Sequence, residues 1–368
     1  MPVIDAFVFD TMTMVWPVVS STGSSELALV TPPGEDPTLR EFKFTVNDID
    51  ATRIPEFKLE IVRSMASGKP YHSGVWLALL KLGRGINARE VDFELKIPSR
   101  SWETRFDEQA ARAIAWPTGA WPADAASTLT PMALLDISPD GRTTLPNASI
   151  RALLARWTDG KDPKTIPPAT LAKWLAGQVM QHVQISGNGL AATRNGLLEG
   201  VSLQIPEQTA QTGVGSEFDM VMLLTAVYRM AGLPARIVVG YDTEADSRDE
   251  PGFLGRQGNG GDLCAWVEFC LYDQANNSVN WVPVDIVRLR SKGNRLPDNY
   301  LDRPMEFFGN HDELDDIIPF AFQFFPPTTV RSYGSPGFWG WFVTPIAPDR
   351  AWQSIDIRAS TTPRRGGR

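Results

Sequence analysis

The chain has 368 residues, 43% of them hydrophobic and 21% charged, which is enough apolar material for a sizeable core and enough length for roughly two or three domains. A net charge of -8 excludes a partner held mainly by phosphate neutralisation, so no nucleic acid is expected. No apolar run is long enough to cross a bilayer, and no membrane role is expected either.

The opening MPVIDAFVFDTMTMVWPVV lacks the basic residues that precede the apolar stretch of a secretory signal. From there to about residue 110, short β-type runs alternate with turn clusters: FVFD, ELALVT, EFKFTV, EFKLEIV, GVWLALLKL and VDFELKI. Apolar and polar residues alternate clearly in Glu41-Phe42-Lys43-Phe44-Thr45-Val46 and in Val91-Asp92-Phe93-Glu94-Leu95-Lys96-Ile97. Such strands, separated by Gly, Pro, Asn and Asp, predict an antiparallel β-sandwich-like domain over residues 1–127. Residues 111–130 read as a linker with Trp116 and Trp121 as anchors.

A core follows over residues 128–300. Ile150, Leu153, Leu154 and Trp157 predict one short helix. Residues 167–183 predict a second, with Leu171, Trp174, Leu175, Val179 and Val183 on its buried side and Pro168 in its first turn. The stretch from Gly213 to Tyr241 organises the rest. Gly213 and Gly215 lead into Ser216; from Phe218 onward Val221, Met222, Leu224, Thr225, Val227 and Tyr228 recur at helical spacing. Gly232 and Pro234 stop that helix, and Ile237, Val238 and Val239 form a strand covered on both faces. Residues 242–262 are polar and Gly-rich, a loop that would border a cleft. Cys264–Tyr272 and Val279–Val284 then read as antiparallel strands. From 301 to 368 the chain changes character: an acidic HDELDD run, an aromatic segment from Phe307 to Phe342, and a basic tail, ASTTPRRGGR, with a disordered composition.

Gly232-Leu233-Pro234-Ala235-Arg236 through Gly240-Tyr241, then Cys264-Ala265-Trp266-Val267-Glu268, then Trp281-Val282-Pro283-Val284-Asp285 resemble the transglutaminase-like superfamily in its bacterial, papain-related branch. The family pattern has a cysteine opening the helix, a histidine starting the H-A-W-x-E strand, and an aspartate ending W-x-x-x-D. The resemblance implies an α+β transglutaminase-like (papain-related) core after a β-domain, with acyl transfer through a thioester as the family chemistry. In this chain Ser216 stands at the nucleophile position, Cys264 at the histidine position and Asp285 at the aspartate position.

Those residue types do not support the family reaction. A helix terminus contributes at most ~2 kcal/mol, about one and a half pKa units, which cannot ionise a serine hydroxyl near neutral pH. A serine needs a base, and a thiol at 264 beside Asp285 would stay neutral because like charge disfavours the thiolate. Ser216-Glu217-Phe218-Asp219 reads instead as a helix cap, the hydroxyl satisfying an amide of the first turn. Cys264 and Cys270 share a strand face with Trp266, Glu268 and Tyr272 and read as small buried hydrophobes. At ~3.3 Å per residue they lie roughly 20 Å apart, beyond disulfide reach, and a cytoplasmic protein is the expectation.

The 3 histidines do not rescue the site by spacing: His72 falls in the β-domain, His182 at a helix end, His311 in the acidic run. That run lacks the ligand spacing of a calcium loop, and neither metal nor cofactor is expected. Arg236 reads as a strand residue that ion-pairs or bonds backbone carbonyls, and Trp266 and Trp281 as packing residues. The expectation is a catalytically inactive pseudoenzyme that binds a protein or peptide through its former cleft or the Phe307–Phe342 segment. The alternative is an active acyl-transfer enzyme, a peptidase, amidase or protein cross-linker, with a rearranged triad.

Overall fold

The computed structural model describes residues 7–16, 20–21, 25–27, 42–55, 57–63, 65–66, 69–70, 76–88, 91–95, 99–101, 106–129, 147–187, 190–192, 198–201, 204–242, 263–291, 307–309, 317–322 and 341–344. Among its described residues the first part is strand apart from one short 3-10 helix at Ala51–Arg53: β1 (Phe7–Trp16), β2 (Ser20–Ser21), β3 (Ser25–Leu27), β4 (Phe42–Val46), β5 (Ile49–Asp50), β6 (Lys58–Arg63), β7 (Met65–Ala66), β8 (Lys69–Pro70), β9 (Trp76–Ala88), β10 (Val91–Leu95) and β11 (Ser99–Ser101). Every pairing among them is antiparallel. The alternating patterns set the register: Phe42, Phe44 and Val46 of β4 fall opposite Leu95, Phe93 and Val91 of β10, apolar against apolar. Asn47 and Asp48 join β4 to β5 with φ of 49° and 64°, the left-handed pair a two-residue hairpin turn requires. β9 runs past the predicted end of GVWLALLKL, because the ladder with β1 shifts register between Phe9 and Thr11 and resumes beyond Gly83 and Gly85. How these sheets face each other rests on side chains outside the described residues.

The core begins with α1 (Glu108–Ala113) and α2 (Ala123–Ala126) and continues with α3 (Ala148–Trp157), α4 (Pro168–His182), β12 (Gln184–Ile185), β13 (Leu190–Ala192), β14 (Leu198–Val201), α5 (Pro206–Thr212), β15 (Val214–Gly215), α6 (Glu217–Met230), β16 (Ala235–Asp242), β17 (Leu263–Asp273), β18 (Ser278–Val284) and α7 (Ile286–Ser291). Two strands follow, β19 (Ile317–Phe322) and β20 (Trp341–Thr344). The predicted linker is bound to the core: Trp116 Nε1 donates to the Ile166 carbonyl at 2.7 Å and its ring meets Trp121 edge-on. Lys173, 1% exposed, reaches Glu108 of α1 at 2.7 Å, a buried charge that persists because it is paired.

α6 is the axis. It is apolar all round and buried along its length, with Val221, Leu224 and Tyr228 at 0% exposure. It packs against α3, α4, α5 and α7 and against one face of the sheet ordered β18-β17-β16-β19. Ile237, Val267 and Val284 lie in register across that sheet and join the same apolar cluster. α6 stops where the punctuation requires. Gly232 takes φ of 83°, and the Leu233 amide closes back on the Tyr228 carbonyl at 2.9 Å.

The last two strands serve different sheets. β19 extends the core sheet beside β16, and β20 extends the N-terminal sheet beside β1, giving the order β20-β1-β9-β6. Pro319 sits on the edge strand β19 where its ladder with β16 shifts register, the kind of place a strand tolerates proline. Phe307 and Phe308 are buried at 2% and 1%, Phe308 stacking on Phe269. The loop from 243 to 262, His72, the HDELDD run with His311, and the basic tail lie outside the described residues.

Candidate functional site

α5 ends in Gly213, whose φ of 65° turns the chain into β15. A Cβ there would stand 3.1 Å from the His182 carbonyl oxygen, and one on Gly215 would stand 2.9 Å from Asp219 Cβ, so neither position has room for a side chain. β15 pairs in parallel with β12, Gln184 opposite Val214 and Ile185 opposite Gly215. The Gln184 amide donates to Gly213 O and the Ser186 amide to Gly215 O, both at 2.7 Å, while the Glu217 amide donates to Gly187 O at 3.2 Å. The chain is therefore held on both sides of Ser216.

Ser216 is 5% exposed and extended, with φ −74° and ψ 174°, and it caps α6. Its Oγ accepts the Asp219 amide at 3.1 Å, and Asp219 Oδ2 accepts the Ser216 amide at 2.8 Å. This is a reciprocal capping box with aspartate in the third helical position. Asp219 Oδ1 also accepts the Gln204 amide at 2.9 Å, which fixes the approach to α5. Burial raises the Asp219 carboxyl above its usual range, and the bonds from Gln204 and Ser216 pull the other way.

Asp285 follows β18 and is 2% exposed. Its Oδ1 accepts the Val287 amide at 3.1 Å and the Arg288 amide at 3.0 Å, so it caps α7 as Ser216 caps α6. Its own amide donates to Phe307 O at 3.0 Å, and Arg288 Nε stands 3.8 Å from Oδ2. The Asp285 charge reaches the first turn of α6. The Glu217 carboxyl is raised first by burial and then by the Asp285 charge. α7, which Asp285 heads, packs on α6, and Ser216 and Glu217 open that helix. The S-x-x-D reading passed over Glu217; its place as an acidic residue in the first turn of a helix was the available signal.

The third position, Cys264, pairs with Gly240 across β16 and β17; its side chain lies outside the described residues. Farther along β17, Glu268 is fully buried and takes Arg236 through Nε at 2.8 Å and through its terminal nitrogen at 2.7 Å. The Arg236 guanidinium lies 4.2 Å above the Trp281 ring, and Trp266 Nε1 approaches Glu268 at 3.4 Å. This cluster braces the strands. Cys270 beside it is buried and unbridged, its thiol pushed up to about 12 by burial, with Arg236 opposing.

His182 closes α4, half-buried and edge-on to Trp157. Its Nε2 lies 2.9 Å from the Ala210 carbonyl. A carbonyl only accepts, so that nitrogen carries the proton and is committed to the end of α5. His182 supports the turn before Ser216 from behind. Among the described residues no group of three His, Cys, Asp or Glu side chains could hold a metal ion, and no helix is long and apolar enough to cross a membrane.

Residues 151–286 match the model of the transglutaminase-like superfamily. No curated protein matches the chain. Among solved structures, a candidate cysteine protease from Cytophaga hutchinsonii aligns at 14% identity over 97% of this chain and 89% of its own, with a TM-score of 0.47. The periplasmic domain of TgpA from Pseudomonas aeruginosa aligns at 14% identity over 76% and 89%, TM-score 0.29. Red sea bream transglutaminase aligns at 10% identity over 67% and 45%, TM-score 0.26. Overlays this loose carry no argument, and the kinship rests on the matched residues.

Proposed function

We propose, on the premise that residues 151–286 are a transglutaminase-like domain, that this domain has given up acyl transfer and serves as a binding module. The observation that carries the proposal is the state of Ser216. One lone pair of its hydroxyl is committed to the Asp219 amide, inside a capping box that needs it there. Acyl transfer also asks for a base at the nucleophile and positive or hydrogen-bonding groups where the oxyanion forms. Here the family's imidazole position holds Cys264, and the Glu217 carboxyl stands next to Ser216 in the first turn of α6. Negative charge there opposes both a thiolate or alkoxide and the oxyanion that follows it.

The partner this reading calls for is a protein or peptide, engaged through the former cleft or through the Phe307–Phe342 segment. Burial of Phe307 and Phe308 leaves that role to the residues after them. The cysteine spacing favours a cytoplasmic protein.

The decisive experiment compares the parent chain with a Ser216→Cys, Cys264→His double variant, assaying amine incorporation and amide hydrolysis. The expected result is no turnover by the parent and a measurable gain in the double variant. Turnover by the parent that Ser216→Ala abolishes would falsify the inactive reading and favour the rearranged acyl-transfer enzyme.

A further inference from the structure

The fold contains a connection that neither the family pattern nor the triad positions call for. α7 carries Asp285 at its head and Arg290 near its tail. One terminal nitrogen of Arg290 donates to two backbone carbonyls at the end of α4, Met180 O and Val183 O, each at 2.6 Å. The last carbonyls of a helix have no partner within it. The amide that would have closed the α4 ladder on Met180 belongs to Gln184, and it is spent on Gly213 O instead. Arg290 takes the vacated carbonyl, and its positive charge suits a helix C-terminus.

Directly after Val183 the chain becomes β12, and Gln184 in it, with Ser186 and Gly187 just after it, clamps the Ser216 turn. The path runs from Asp285 along α7 to Arg290, the end of α4, β12, β15, Ser216 and the head of α6. We infer that Arg290 is a positioning residue that ties the helix headed by Asp285 to the strand holding the Ser216 turn, so that the two sides of the site move as one body. This holds whether the site binds or turns over, since it concerns only the distance between its two halves.

Hydrogen exchange on the full chain tests it. In the parent, the amides of Gln184 and Ser186, which bond β15, and of Val287 and Arg288, which bond Asp285, should open together with one denaturant dependence. In Arg290→Met all four should lose protection by about tenfold, the equivalent of one bond to a charged donor. Amides inside α6, such as that of Leu224, should stay as they were. Arg290→Lys should restore most of the protection, because a single nitrogen makes both bonds and an ammonium can stand in its place.

Unchanged protection at Gln184 and Ser186 in a folded Arg290→Met variant would overturn the inference. So would loss of protection across α6 at the same time, which would make Arg290 a general stability residue. If Arg290→Met does not fold, the parent alone decides: separate denaturant dependences for the β12 pair and the α7 pair would end the idea.

Discussion

At the scale of single residues, Ser216 shows how much a short side chain can hold: it caps α6 in a reciprocal bond with Asp219. The cap was legible in the sequence because its chemistry is local, joining residue 216 to residue 219. Ser216→Ala should lower stability by about 1 kcal/mol, read as a shift in the denaturant midpoint; an unchanged midpoint would mean that the hydroxyl does not hold the helix. The Glu217 environment was not legible, since it depends on Asp285, which is distant in sequence and brought in at the end of β18. Cys270 was correctly read as a small buried hydrophobe. With its thiol raised from 9.0 to about 12, it contributes stability that is complete below 9.0 and lost as pH climbs toward about 12. In a Cys264→Ser background, iodoacetamide at mildly alkaline pH should leave Cys270 unmodified until the chain unfolds. Labelling of the folded protein would contradict the burial.

At the scale of elements, α3, α4 and α6 were legible from apolar spacing, and α1, α2, α5 and α7 were not. α5 carries both of its punctuation marks, Pro206 at the start and Gly213 past the end, but seven residues are too few for a periodicity to show. It also does something no local pattern announces. Glu207, 9% exposed, reaches out of α5 to accept the Ser149 amide at 2.7 Å and the Ile150 amide at 3.2 Å, capping α3, whose own Asn147 makes no side-chain cap. Charge-assisted bonds of this kind are stronger than neutral ones. Glu207→Ala should therefore cost about 2 kcal/mol, with exchange rising first at the amides of Ser149 and Ile150. A loss spread evenly over α3 and α5 would argue that Glu207 acts by filling space.

At the scale of the whole molecule, the alternating strands of the N-terminal half and the paired strands after Cys264 were legible, while the partners of the aromatic segment were not. Pro and Gly disguise β19 and β20, and each is made a strand by a ladder formed elsewhere, with β16 and with β1. Deleting residues 337–368 should leave β1 with an unpaired edge, and open edges recruit other chains. Light scattering should then show concentration-dependent association while exchange inside α6 stays slow. A monomer at all concentrations would show that β20 does not guard that edge. The pairing of Thr11 with Thr344 has one more consequence. On the ribosome, β1 is made long before β20 and must wait for it. The sheet β20-β1-β9-β6 cannot be finished until β20 has emerged, and its open margin is a natural client for a chaperone until then.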